Sequence, residues 1–342
     1  MSTCSDTIAE RTSLLRHDEG GVAILTLNRP GQYNALSDDL LTRLQNELDR
    51  IAQDETLRVV IIAANGKAFC AGHDLKEMRR SEERTVHQAL FDRCGHMMMT
   101  IHQLPQPVIA SVNGIATAAG CQLVANCDLA VAADDARFAV SGINVGLFCS
   151  TPAVPLSRNM LRKQAMQMLL TGDFISAEEA QARGLVNEVV AVEDLHSASL
   201  ALAAKIAEKS AHSIKLGKEM FYKQLPMDMA DAYAYASERM ACNMDSHDAR
   251  EGIDAFIQKR KPEWKNSVLY GTVFSAENSV NYLHKVITVD AARALPLPAQ
   301  RRVVRAGCPQ PAAQGPAVVS RSCRRRRAKY LCRRAQLGAR HH

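Results

Sequence analysis

Apolar residues between Gly21 and about Val190 fall into short, dense runs separated by stretches of helical period. Val22–Leu27 (VAILTL) and Val59–Ala63 (VVIIA) are short and rich in β-branched residues, as buried strands are. Pro107–Val112 (PVIASV) and Leu129–Ala132 (LAVA) follow the same rule. Between the first pair, Ser37 is placed to cap a helix that carries Asp38 and Asp39 in its first turn. Leu40, Leu41, Leu44, Leu48 and Ile51 then return to one face. Strands alternating with helices predict an α/β layered core over residues 21–190.

Beyond that core the pattern is helical. Ser176-Ala-Glu-Glu179 reads as a capping box, with Gly184 as the stop of its helix. Further helices are predicted over Asp194–Lys209, Pro226–Cys242 and His247–Arg260, the last ended by Pro262. Residues 191–265 therefore form a helical region, and residues 1–20 a flexible lead. Residues 296–342 mix Pro, Ala, Gly and Arg without apolar period, so 266–342 is expected to be a basic, disordered tail or a polyanion-binding one.

Charge sharpens this division. Residues 266–342 hold 14 Lys and Arg against 2 acids, and residues 1–265 hold 28 against 34. The formal net charge of +6 thus hides a mildly acidic body, which gives no electrostatic reason to expect nucleic acid as a partner. No run approaches the ~18 consecutive apolar residues of a membrane span. The ten cysteines form no CxxC pair, which argues against zinc, and several lie inside apolar runs, as buried reduced thiols do. Asp6, Glu10, Asp18 and Glu19 beside Arg11 and Arg16 match neither a signal peptide nor an acid-poor transit peptide.

Two segments carry chemical promise. Gly66–Met78 (GKAFCAGHDLKEM) follows the strand at 59–63, and Asn113–Gln122 (NGIATAAGCQ) follows the strand at 107–112. Each reads as strand, small-residue turn, helix. Such a turn lets backbone N–H groups approach a ligand at a helix start, where negative charge is favoured. Two such turns facing one point would make an oxyanion hole.

With these segments in order, Val22–Lys261 resembles the crotonase (enoyl-CoA hydratase/isomerase) superfamily. The landmarks are Leu27-Asn-Arg-Pro30, Asn34-Ala-Leu36, Ala68–Leu75, Pro107–Gly114, Ala118-Ala-Gly-Cys121, Asp128–Val131, Gly146, Leu170–Asp173, Ile175–Ala177, Gly184–Val186 and Glu251–Phe256. The resemblance implies an α/β fold of the ClpP/crotonase type, a spiral of ββα units whose C-terminal helical region completes homotrimers or hexamers. It implies acyl-CoA thioesters as ligands, coenzyme A being part of the ligand rather than a cofactor, and no metal. The oxyanion donors would be the backbone N–H groups of His73 and Ala119. The turn His73-Asp74-Leu75-Lys76 would embrace the ligand, with Lys76 toward a phosphate and Lys259 and Lys261 near coenzyme A on a neighbouring subunit. The subgroup most resembled is mitochondrial; the N-terminus as it stands would suit the cytosol.

One departure decides the chemistry. The superfamily's hydratases use two glutamates, and the resemblance aligns those positions with Gln122 and Gly142. An amide orients water but takes no proton, and glycine offers no side chain. A positioned acid or base supplies about 10²- to 10⁴-fold, so ordinary hydratase activity is not expected. Asp74, Glu77, Asp128 and Cys149 lie near enough in sequence to be weighed as substitutes. Three readings stay open: an acyl-CoA-binding protein of fatty-acid metabolism, an acyl-CoA lyase such as a decarboxylase that needs only the oxyanion hole, and a hydratase or isomerase with a non-standard acid.

Overall fold

The structure, a computed structural model, describes residues 12–265. The expected tail 266–342 and residues 1–11 of the expected lead lie outside the described residues.

Apolar alternation and turn chemistry fold the chain into repeated units of two strands and a helix. β1 (Leu14–Glu19) and β2 (Val22–Leu27) form an antiparallel hairpin in register from Leu14↔Leu27 to Glu19↔Val22. This corrects the expected flexible lead: residues 14–19 are a paired edge strand. Their outward polar residues hid them from a reading tuned to apolar runs. α1 (Asp38–Ala52) follows, capped by Ser37, whose side chain accepts the Leu40 N–H. Its five apolar positions Leu40, Leu41, Leu44, Leu48 and Ile51 are all buried.

The next units are β3 (Val59–Ala64), β4 (Ala68–Cys70), the one-turn α2 (Leu75–Met78) and α3 (Arg84–Gln103), and then β5 (Val108–Val112), β6 (Ile115–Thr117) and α4 (Ala119–Asn126). β7 (Leu129–Ala133) and β8 (Arg137–Ala139) lead into α5 (Ser150–Asn159) and α6 (Arg162–Thr171), and β9 (Ile175–Ser176) into α7 (Ala177–Ala182) and β10 (Glu188–Val190). Successive units drop their strands into two sheets. One runs β1-β2-β3-β5-β7-β10 and the other β4-β6-β8-β9, parallel except at β1 and β9. This is the spiral that the resemblance implies. The main core lies between α1, α3, α4 and the large sheet, with Phe69 and Phe138 among its fully buried side chains.

α8 (Leu195–Ala207), α9 (Ala211–Gln224), α10 (Met229–Met244) and α11 (His247–Ile257) complete the described chain. α9 was not among the expected helices: its polar face and Gly217 blur its period, and tertiary contacts hold it instead. Lys218 supplies the strongest of these. Its Nζ, on a side chain only 7% exposed, donates to Ile101 O at 2.8 Å, Gln106 O at 3.0 Å and Asp128 Oδ2 at 2.6 Å. Asp128 also accepts the Val108 N–H at 2.7 Å and the Tyr222 hydroxyl at 2.8 Å. One carboxylate thus ties the starts of β5 and β7 to α9. Burial lowers the Lys218 pKa, and Asp128 opposes that shift. Lys218→Met strands Asp128 as an unpaired buried charge, so urea unfolding is expected to show a loss of about 3–5 kcal/mol.

Candidate functional site

The two segments singled out by sequence meet because each hides a second short strand. β4 and β6 sit in the small sheet as parallel neighbours, Ala68 opposite Ile115 and Cys70 opposite Ala116. What reads in sequence as a bare turn is therefore a short strand followed by a turn, and the pairing carries both turns to one edge. The helix expected after each turn is eight residues long in the second case and four in the first. α2 is too short to contribute much dipole, so the field there comes from individual N–H groups.

The turns touch through glycine. Gly72 has φ +89°, and a Cβ built on it would lie 2.8 Å from Ala118 Cβ and 3.0 Å from Ala119 N. A Cβ on Gly120 would lie 2.0 Å from the Cys70 carbonyl oxygen. Only hydrogen fits in either place. On one side of this contact, His73 forms a parallel bridge with Leu36: the Leu36 N–H donates to Gly72 O at 2.8 Å and the Asp74 N–H to Leu36 O at 3.1 Å. Alternate amides of an extended chain point to opposite sides, so the His73 N–H faces away from Leu36. On the other side, Ala119 opens α4 ahead of its first intrahelical bond, Gln122 N–H to Ala118 O at 3.0 Å. Neither the His73 N–H nor the Ala119 N–H has a hydrogen-bond partner among the described residues.

Ala118 holds the second turn in an unusual backbone, φ 50° and ψ −121°. A residue with a Cβ there costs about 1–3 kcal/mol. Its N–H donates to Ala139 O at 3.1 Å, and the neighbouring Thr117 hydroxyl meets Ser141 at 2.8 Å, which lock the strain in place. Nothing in the sequence signals it, since alanine is the last residue a turn search would mark.

His73, Gln122 and Cys149 bring neutral side chains to the turns. The His73 imidazole packs edge-on against Phe91, ring centroids 5.4 Å apart, and burial lowers its pKa to about 4. Its Nε2 is buried without a partner among the described residues, as is Oε1 of Gln122, a residue only 3% exposed. At Gly142 a Cβ would lie 2.6 Å from Leu147 O and 2.7 Å from Cys149 Sγ. The Cys149 thiol therefore fills the space in which a side chain at 142 would begin. Burial raises its pKa against a hydrogen bond from the Gly142 N–H, so it stays a thiol at neutral pH.

The carboxylates weighed as substitutes are engaged elsewhere. Asp74 is partly buried, which raises its pKa, but the Arg29 guanidinium and the Glu77 and Lys76 N–H groups outweigh that and hold it below the usual range. Glu77 accepts the Asp38 N–H at 2.9 Å, and Asp128 belongs to the Lys218 cluster. Leu75 and Lys76 stand exposed on α2, and Lys259 and Lys261 are exposed at the end of the described chain. No group of three or more His, Cys, Asp or Glu residues able to hold a metal occurs among the described residues.

Burial of His73 has a consequence for stability. Between pH 6.5 and about 4 the unfolded chain binds a proton at this imidazole that the native chain does not. Native stability therefore falls as pH drops through that window, by about 2–3 kcal/mol. Urea unfolding at pH 7 and pH 4.5 is expected to show this loss, and His73→Gln to remove most of it.

Residues 17–267 match the enoyl-CoA hydratase/isomerase family. The chain is similar to the mitochondrial enoyl-CoA hydratase domain-containing protein 3 of Homo sapiens, 48% identical over 246 residues that cover 72% of this chain and 81% of that one. The crystal structure of that human protein superposes with a TM-score of 0.72 at 47% identity, over 74% of this chain and 100% of the other. A crystal structure of enoyl-CoA hydratase from Mycobacterium smegmatis gives a TM-score of 0.73 at 56% identity, over 74% and 98% of the two chains. The 2,3-dehydroadipyl-CoA hydratase of Escherichia coli (strain K12) is 34% identical over 245 residues, 71% of this chain and 95% of that one. With its two interleaved sheets and this extent of similarity, the chain has the crotonase fold and belongs to the enoyl-CoA hydratase/isomerase family.

Proposed function

We propose that this protein binds acyl-CoA thioesters with the carbonyl oxygen between the His73 and Ala119 N–H groups, and does not hydrate enoyl thioesters at ordinary enzymatic rates. The observation that carries this reading is a pair of amides on touching segments that have no hydrogen-bond partner among the described residues, with an amide at Gln122 and no side chain at Gly142, the two positions aligned with the hydratase glutamates. Amides aimed at a carbonyl oxygen polarise it, and each is worth about 10²- to 10³-fold where charge develops there. Addition of water to a conjugated double bond also needs a base for the water and an acid for carbon. With both absent, binding survives and turnover does not.

Other features support the same reading. Lys76 stands exposed one turn beyond His73, placed as a point charge for a phosphate of coenzyme A. Met229, Tyr233, Phe256 and Ile257, all 70% exposed or more, give α10 and α11 apolar surface suited to assembly with further copies, as a homotrimer or hexamer. The names of several relatives support a mitochondrial location, and an acyl-CoA ligand would place the protein in fatty-acid metabolism.

Calorimetric titration with butyryl-CoA and with free coenzyme A, followed by incubation with crotonyl-CoA, tests the proposal. The thioester is expected to bind more tightly than free coenzyme A, with hydration below about 1 s⁻¹. Failure to bind the thioester, or hydration at ordinary rates, overturns it. Reinstating the glutamates is expected not to rescue hydration. Gly142→Glu drives its Cβ onto the backbone oxygen of Leu147, so that variant should melt at a lower temperature than the unsubstituted protein.

A further inference from the structure

The Leu27-Asn-Arg-Pro30 and Asn34-Ala-Leu36 landmarks have no place in the chemistry above, yet the structure lays them against the first turn along its whole length. Asn34 is fully buried with φ 53°; its Nδ2 donates to Asn65 O at 2.9 Å and Ala68 O at 2.7 Å, and its Oδ1 accepts the Arg29 N–H at 2.7 Å. The Ala71 N–H donates to Tyr33 O at 3.0 Å, and Leu36 makes the bridge to Gly72 and Asp74. The Arg29 guanidinium closes the series. One nitrogen donates to the Ala35 carbonyl and another to Asp74 Oδ2 at 3.1 Å. Ala35 immediately precedes Leu36 and Asp74 immediately follows His73, so a single planar group ties the two segments that form the Leu36–His73 bridge.

We infer that Arg29 is a positioning residue for thioester polarisation: paired with Asp74 and the Ala35 carbonyl, it fixes the direction in which the His73 N–H points. The inference rests on the thioester reading above. The ion pair is mostly buried, with the Arg29 and Asp74 side chains 19% and 12% exposed, and the guanidinium fork is rigid, so it constrains orientation as well as distance. An amide turned away from a carbonyl oxygen loses its hydrogen bond steeply with angle. Loss of Arg29 leaves the Ala119 donor in place and sets the His73 donor loose.

Infrared difference spectra of bound butyryl-CoA carrying a carbon-13 carbonyl read this directly. At saturating ligand the band reports only folded, bound protein, so a general loss of stability does not move it. In the unsubstituted protein the band is expected below its position in water. In Arg29→Met the lowering should shrink by about half, since one of two donors is lost. Arg29→Lys should recover part of it, keeping the charge but not the fork. If Arg29→Met does not fold, Asp74→Asn breaks the same pair while keeping an acceptor at the α2 cap, and should shrink the shift likewise. A full shift in folded Arg29→Met, or in Asp74→Asn, overturns the positioning role and leaves the thioester reading standing. An unbound or unshifted thioester with the unsubstituted protein overturns that reading, and the inference with it.

Discussion

The contact between Gly72 and the Ala118–Ala119 peptide is the constraint on which the rest of the site depends. A Cβ on Gly72 would come within 3.0 Å of Ala119 N, so the missing side chain is what lets two backbone segments from different ββα units share one edge. Parallel pairing of β4 and β6 brings the segments alongside each other, and Gly120 against Cys70 seats α4 beneath them. The strain at Ala118 is tolerated because β8 and Ser141 hold it from the far side. These contacts bring to one edge two N–H groups, those of His73 and Ala119, that have no hydrogen-bond partner among the described residues.

That arrangement separates two tasks which a hydratase combines. Holding a thioester oxygen needs only oriented dipoles, and the backbone supplies them whatever the side chains are. Moving protons needs titratable groups near their working pKa, and three side chains beside the turns do not supply them: the His73 imidazole is neutral above about pH 4, the Gln122 amide does not titrate, and burial keeps the Cys149 thiol protonated. The carboxylates nearest in sequence have become structural, capping α2, tying α1 to the first turn, and pairing with Lys218. In the proposed function, binding and polarisation are retained on a scaffold that lacks the acid–base step.

Much of this was legible in the residues, and the limits have physical causes. The central strands β2, β3, β5 and β7 announce themselves because both faces are buried, and α1 because its apolar face and Ser37 cap agree. β1 was missed because only its beginning is buried, and β4 and β6 because three residues between glycines carry no period. The two turns and Gln122 could be marked from motif and composition. The free amides, the backbone of Ala118 and the clamp of Arg29 on Asp74 depend on chain segments distant in sequence, the last on residues 45 apart. The thiol of Cys149 over Gly142 is likewise a tertiary fact, and it turns an absent side chain into an occupied space.

A crystal structure of the protein with butyryl-CoA bound tests the central claim most directly. The account requires the thioester oxygen to lie about 3 Å from both the His73 and the Ala119 nitrogen, with no carboxylate in reach of the acyl carbons. A thioester oxygen directed elsewhere, or an Asp or Glu side chain poised over the carbon beside the carbonyl, would contradict it.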